Sequence, residues 1–226
     1  MTSQDYASKL SALSPVKRAL FEQRLRGPSS TASRAPERIT RRADRAHAPL
    51  SFDQQATLSL LRAHDMPSAY QGTALLIHGP LDLEALRRSV DEVIRRHESL
   101  RTTFSLIAGQ PVQVIGNPQP FDLPVLDLSD LPEAERQTRA QQLAAAELAR
   151  RFELTRGPLL RVVVITLARE ESVLVLAIDH LVADFLSMGL FIQELGTLYD
   201  AFLHGRPSPL PELPVQFGDW TEWQRR

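Results

Sequence analysis

"LLRVVVITLAREESVLVLAID", residues 159–179, decides the fold. Two runs rich in β-branched residues flank a charged turn at Arg169–Ser172. Each run is nearly continuous in apolar residues, which is the pattern of a strand buried on both faces. Helical patterns surround it. "LDLEALRRSVDEVIRRHE" (81–98) puts Leu83, Leu86, Val90, Val93, Ile94 and His97 along one face and charged residues on the other. "LPEAERQTRAQQLAAAELARRF" (131–152) reads as an alanine-rich helix, and "SMGLFIQELGTLYDAFLHG" (187–205) as a third.

Further out, "SFDQQATLSLLRAH" (51–64) opens with Ser51 and has Gln54 three residues later, a capping-box start. "GTALLIHG" (72–79) is a short strand. "LRTTFSLIAGQPVQVIG" (100–116) is a hairpin turning at Ala108-Gly109-Gln110. The order helix, strand, helix, hairpin, helix, hairpin, helix predicts an α/β sandwich.

The N-terminal part differs in kind. "LSPVKRALFEQRLRG" predicts a short helix within residues 1–26, with Ser14 as its cap and Gly27 as its stop. Residues 27–49 are rich in Ser, Ala, Pro and Arg and nearly empty of large apolar side chains. Such a stretch cannot bury enough surface to fold, so it reads as a solvated linker whose arginines (Arg34, Arg38, Arg41, Arg42, Arg45) are free for an acidic partner. The globular part then runs from 50 to 226. On this reading residues 1–49 are dispensable for its folding.

Composition narrows the function. The chain has 226 residues, 43% hydrophobic and 23% charged, which is ordinary for a globular protein. A formal net charge of -1 gives no general attraction to nucleic acid. The absence of cysteine excludes disulfides, thiolate metal sites and a cysteine nucleophile. The start has no basic segment followed by an apolar run, and no stretch approaches the roughly 18 apolar residues of a membrane span. A cytoplasmic protein with no membrane contact is expected. No P-loop, GxGxxG, HExxH or GxSxG pattern is present.

Chemistry concentrates where the second strand ends, in "AIDHLVADF" (177–185). His180 is the group here that exchanges protons most readily near neutral pH, and a loop at a sheet end would expose it. Asp179 and Asp184 flank it. Taken alone, the stretch has a plainer account, with His180 a hydrogen-bonded strand-end residue and Asp184 a helix N-cap. His97, on an apolar helix face, reads as a satisfied core histidine.

The same stretch resembles the HHxxxDG motif of the condensation domains of nonribosomal peptide synthetases, members of the chloramphenicol-acetyltransferase-like acyltransferases. Four more segments match in the family's order: "LSFDQQATLSLL" (50–61) with LSxxQxRLW, "RRHESLRTTF" (95–104) with RHExLRTxF, "RFELTRGPLLR" (151–161) with FDLxxGPLLR, and "VQFGDWTEWQR" (215–225) with VQYxDFAxWQR. The resemblance spans Leu50 to Arg226 and matches the first of the family's two lobes. The N-terminal helix is similar to a segment that often precedes these domains, where it would serve docking.

The resemblance implies an α/β lobe of the acetyltransferase type and amide formation between an acyl donor and an amine acceptor. Both substrates would ride as thioesters on phosphopantetheine arms of carrier proteins, with no cofactor held by the lobe itself. Its partners would be those carriers, the second lobe and the adjacent synthetase modules. His180 would be the catalytic histidine. Asp184 would be a structural carboxylate paired with Arg96 or Arg101. The isolated lobe would be inactive. Two departures stand out: Asp179 replaces the first histidine and Phe185 the glycine. The stretch also fits DxxxxDxxS, the pattern of heterocyclisation relatives, through Asp179, Asp184 and Ser187, and a non-catalytic binding or scaffold remnant is the third alternative.

Overall fold

A computed structural model describes residues 38–65 and 68–226. The stretch 159–179 forms two adjacent nine-residue strands, which we number with the rest in chain order: β6 (Leu160–Ala168) and β7 (Glu171–Asp179). They pair antiparallel at the centre of a four-stranded sheet of order β2-β7-β6-β5, with β2 (Tyr70–His78) antiparallel to β7 and β5 (Val125–Asp127) parallel to β6. Both faces are covered, as the continuous apolar runs require. Leu160, Val162 and Val164 join Leu174, Leu176 and Ile178 in one core. Val163, Ile165 and Leu167 join Val175 in the other.

Helices α2 (Leu83–Arg96) and α4 (Phe185–Leu203) pack together on the first face, burying Val90, Val93 and Leu198 completely. Helix α3 (Glu133–Ala149) covers the second with Ala140 and Ala144, whose small side chains let it lie close. Gly72 in β2 has the same use: a Cβ there would meet Leu148 Cδ2 at 2.7 Å.

Helix α1 (Phe52–His64) starts on the expected capping box: Ser51 Oγ accepts from Gln54 N and Gln54 Oε1 accepts from Ser51 N, both at 3.0 Å. The 81–98 pattern ends sooner as α-helix, at Arg96, and continues as a 3-10 turn, Glu98–Arg101. The hairpin β3 (Thr102–Ile107) and β4 (Gln110–Ile115) turns on Ala108 and Gly109, with φ of 50° and 78°. Two positive φ values in succession match the twist of the flanking strands.

The linker expectation fails for its C-terminal part. Residues His47–Pro49 form β1, which pairs with β4 in a second sheet of order β1-β4-β3. Arg42 is buried, with Glu98 Oε2 at 2.6 Å and Asp219 Oδ1 at 2.8 Å. Arg45 also reaches Glu98, and Arg41 donates to the carbonyls of Leu213 and Pro214. Asp219 belongs to the last helix, α5 (Phe217–Gln224), and Gly218 leaves room for the Arg42 guanidinium, 2.9 Å from where a Cβ would stand. Thus Arg42 and Arg45 find their acidic partners within the chain. Composition hides this because the carboxylates are 56 and 177 residues away. The expected helix in residues 1–26 lies outside the described residues.

Candidate active site

Asp179 ends β7 with no exposed surface. Its Oδ1 accepts from Ser68 Oγ at 2.8 Å and Leu181 N at 2.9 Å, while its buried Oδ2 has no hydrogen-bond partner among the described residues. Burial pushes this carboxyl up from its ordinary range, against the pull of the Leu181 N–H and the Ser68 hydroxyl. Beyond it the chain makes one tight turn. The Asp179 carbonyl accepts from Val182 N and Ala183 N. From α1, buried Gln54 donates through Nε2 to the Leu181 carbonyl at 2.8 Å. The turn is therefore held by its own strand, by Ser68 and by α1.

The turn presents His180. Its backbone N–H is tied to the Ala69 carbonyl, and its side chain is exposed. Nδ1 is 3.0 Å from the Ala183 carbonyl oxygen. A carbonyl only accepts, so the contact selects the tautomer with hydrogen on Nδ1 and leaves the Nε2 lone pair free. A neutral imidazole held this way can take a proton from a group in front of it.

Among the described residues Asp184 meets no arginine, which corrects the pairing expected with Arg96 or Arg101. It is the N-cap of α4, accepting from Ser187 N at 2.8 Å and Ser187 Oγ at 2.6 Å. Those two bonds hold its carboxyl below the usual range. Arg96 instead donates through Nε to both oxygens of Glu194, at 3.1 and 3.2 Å, and through Nη1 to the Pro211 carbonyl. His97 Nε2 is 2.6 Å from the same Glu194, so it is satisfied, as expected. Arg101 bonds the Gly116 carbonyl and lies 3.7 Å from Glu98. The physical reason is that a carboxylate at an exposed helix start finds backbone and hydroxyl donors at hand, whereas Arg96, buried between α2 and α4, needs a buried partner. Glu194 carried a visible signal, a lone acid among Phe191, Leu195 and Leu198.

Two contributors were missed in the sequence. The pattern around Gln54 signals only a cap, and nothing in the sequence marks Ser68. Beside the turn, Phe185 and Leu186 are 77% and 78% exposed and Leu190 is 47% exposed, an apolar patch on the first turns of α4. Under the turn lies a cavity of about 80 Å³ lined by His97, Ser99, Ile178, Val182, Ala183 and Leu190, among others. No cluster of His, Cys, Asp and Glu among the described residues could hold a metal ion.

Residues 44–226 match the family model described as "Condensation domain". The chain belongs to the condensation-domain family. It is 44% identical over 185 residues to a linear gramicidin synthase of Brevibacillus parabrevis, covering 79% of this chain and 2% of that protein. It is 42% identical over 201 residues to chondramide synthase cmdD of Chondromyces crocatus (88% and 5%). Phosphinothricin tripeptide synthetase PhsC of Streptomyces viridochromogenes matches at 37% over 229 residues (99% and 20%). Among solved structures, the X-domain from teicoplanin biosynthesis superposes with a TM-score of 0.73 at 28% identity, over 84% of this chain and 40% of that one. The SgcC5 protein of Streptomyces globisporus does so with a TM-score of 0.67 at 31% identity (78% and 41%). The condensation chain thus spans a small part of these synthetases and about 40% of these solved chains. Its fold is the chloramphenicol-acetyltransferase-like α/β fold, and its relatives are nonribosomal peptide synthetases of secondary metabolism. No described helix is long and apolar enough to cross a membrane.

Proposed function

We propose that this chain supplies the histidine-bearing first lobe of a synthetase condensation domain that joins a carrier-bound acyl donor to a carrier-bound amine. The observation that carries the reading is His180, exposed at the end of a buried strand with Nδ1 engaged and, among the described residues, no partner on Nε2. In the reaction the acceptor nitrogen attacks the donor thioester carbonyl. The C–N bond forms and the C–S bond breaks. The nitrogen gives up a proton to His180 Nε2, and the departing thiolate takes one up. Asp179, Ser68 and Gln54 act through the turn that aims the ring.

Carrier proteins bring both substrates on phosphopantetheine arms, and the lobe itself binds no cofactor. A second lobe supplies the opposite wall, and adjacent synthetase modules supply the carriers. Holding both reactants in attack geometry contributes roughly 7–11 kcal/mol to such a reaction. One lobe alone offers His180 without that positioning, so the isolated chain forms no amide. The compartment consistent with this role is the cytoplasm.

Heterocyclisation ranks lower, because the Asp184–Ser187 part of DxxxxDxxS is accounted for as a helix cap. A second reading, a binding role, has one observation in its favour. The X-domain was also solved in a complex with OxyB, and that copy matches this chain at 30% identity and a TM-score of 0.70. The two readings part on one substitution. His180→Ala in the complete condensation polypeptide, given both loaded carriers, is expected to abolish the condensed product seen by mass spectrometry while leaving the melting curve unchanged. Product formation equal to wild type would remove His180 from the chemistry and favour the binding role.

A further inference from the structure

We propose that Gln113 is a positioning residue for His180: it fixes the Gln54 amide, and through it the turn whose Ala183 carbonyl holds the imidazole in one tautomer. The inference deepens the proposed function and rests on its reading of His180 as the proton acceptor. Gln54, Gln113 and Thr221 are buried, on α1, β4 and α5. They form one chain of side-chain hydrogen bonds. Gln113 Nε2 donates to the Pro49 carbonyl at 2.8 Å and to Thr221 Oγ1 at 3.3 Å. Gln113 Oε1 accepts from Gln54 Nε2 at 3.3 Å. Gln54 Nε2 also donates to the Leu181 carbonyl at 2.8 Å, and Gln54 Oε1 accepts from Ser51 N at 3.0 Å. Thr221 Oγ1 donates its own hydrogen to the Gly218 carbonyl at 3.0 Å.

Each amide can stand only one way round. The Pro49 carbonyl only accepts, so the Gln113 nitrogen faces it and the Gln113 oxygen is left for Gln54. Thr221 has its hydrogen engaged, so its oxygen accepts the second Gln113 hydrogen. The Ser51 N–H only donates, so the Gln54 oxygen faces it and the Gln54 hydrogens turn to Leu181 and Gln113. Both amides thus use both hydrogens, and a buried network satisfied in this way is rigid. It ends on the Leu181–Val182 peptide, which is pinned on both sides: its carbonyl by Gln54, and its N–H by the Asp179 carbonyl at 3.1 Å. One peptide further on, the Ala183 carbonyl meets His180 Nδ1 at 3.0 Å. Rotation of the Leu181–Val182 plane swings that carbonyl off the ring. The imidazole can then carry its hydrogen on Nε2, where it no longer accepts one. Without Gln113, a Gln54 N–H is buried with no acceptor, and a shift of the Gln54 amide relieves it at the expense of the turn. A polar pair that only held α1 to β4 would have no such effect. Here one nitrogen, Gln54 Nε2, bonds both Gln113 and the turn.

The test reads the ring directly. Nitrogen-15 NMR of the histidine-labelled full chain, at a pH where the ring is neutral, gives the ratio of the two tautomers, with the His180 signals assigned by their loss in His180→Ala. Wild type is expected to carry the hydrogen on Nδ1. Gln113→Leu, close in volume and without polar atoms, is expected to shift the ratio toward Nε2 by about tenfold, the size of one unmade buried hydrogen bond. Adding it to Gln54→Leu is expected to shift nothing beyond Gln54→Leu alone, because Gln113 acts through Gln54. Val163→Ala, in the core on the other face of the sheet, is expected to lower Tm and leave the ratio unchanged. If Gln113→Leu does not fold, Gln113→Asn, which withdraws the amide by one carbon, takes its place. In the complete condensation polypeptide with both loaded carriers, the same variant is expected to lower kcat and leave KM for the carriers unchanged. Wild-type hydrogen on Nε2, a ratio that the Gln113 variant leaves unchanged, a ratio that Val163→Ala shifts as far, or an additive double variant each overturns the proposal. So does an unchanged kcat where His180→Ala abolishes product. Turnover equal to wild type in His180→Ala defeats the proposed function instead, and the tautomer ratio still decides the positioning.

Discussion

Arg42 Nη1 and Asp219 Oδ1 meet at 2.8 Å, both side chains without solvent contact, across 177 residues of chain. With Glu98 2.6 Å from the same guanidinium, this pair ties the segment before β1 to the last helix and to the 3-10 turn after α2. Burial alone would raise the Asp219 carboxyl, but the N–H bonds from Arg42 and Gln216 outweigh it and hold it low. Asp219→Ala leaves the buried Arg42 guanidinium with one of its two carboxylates, at a cost of about 3–5 kcal/mol. For a domain of this size that lowers Tm by about 6–20 °C. Two truncations beginning at Ile39 and at Leu50 should differ in the same direction, the shorter chain melting lower. Equal melting curves would mean that the arginine strap carries no stability.

Asp184 predicts a smaller effect. As an exposed N-cap it contributes about 0.5–2 kcal/mol, not the larger sum of a buried ion pair. Asp184→Ala should therefore lower Tm modestly, and Asp184→Ser should restore most of it. The carboxyl is held below its unfolded value. Its contribution is thus present above the unfolded pKa and is lost as pH falls through the folded one. A loss of several kcal/mol in chemical denaturation would show that Asp184 has a buried cationic partner after all.

Asp179 runs the other way. Its carboxyl is raised by burial, so the folded chain holds a proton that the unfolded chain has released. Between the unfolded and the raised folded pKa, stability falls as pH rises, and it is flat above. Asp179→Asn keeps an acceptor for Ser68 and Leu181 and removes the buried charge. It should be more stable than wild type at neutral pH, by about 1 kcal/mol, and should lose this pH slope. Urea titrations of both proteins from acid to neutral pH measure the difference, and parallel curves would contradict it.

Ala108 holds φ at 50°, where a Cβ is strained. Ala108→Gly should relieve the turn and stabilise the hairpin by about 1 kcal/mol, a rise of about 2–4 °C in Tm. A lower Tm would mean that the added freedom of the unfolded chain outweighs the relief.

The sequence by itself determined most of the elements, but not the short strands β1 and β5, which exist only through their pairing with β4 and β6. The buried hairpin at 159–179, the amphipathic α2, the Ser51–Gln54 box and the Ala108-Gly109 turn are all set by neighbours within a few residues, and their periods of two or 3.6 are written directly in the chain. The histidine motif and its family were legible for the same reason, as short local patterns in order. Tertiary structure decided who meets whom. It gave Arg96 to Glu194 rather than to Asp184, drew Arg42 out of an apparent linker onto Glu98 and Asp219, and set Gln54 and Ser68 against the turn that orients His180. A buried charge takes the partner that packing brings within hydrogen-bond reach, and that distance exists only once the two sheets and their helices have closed around it.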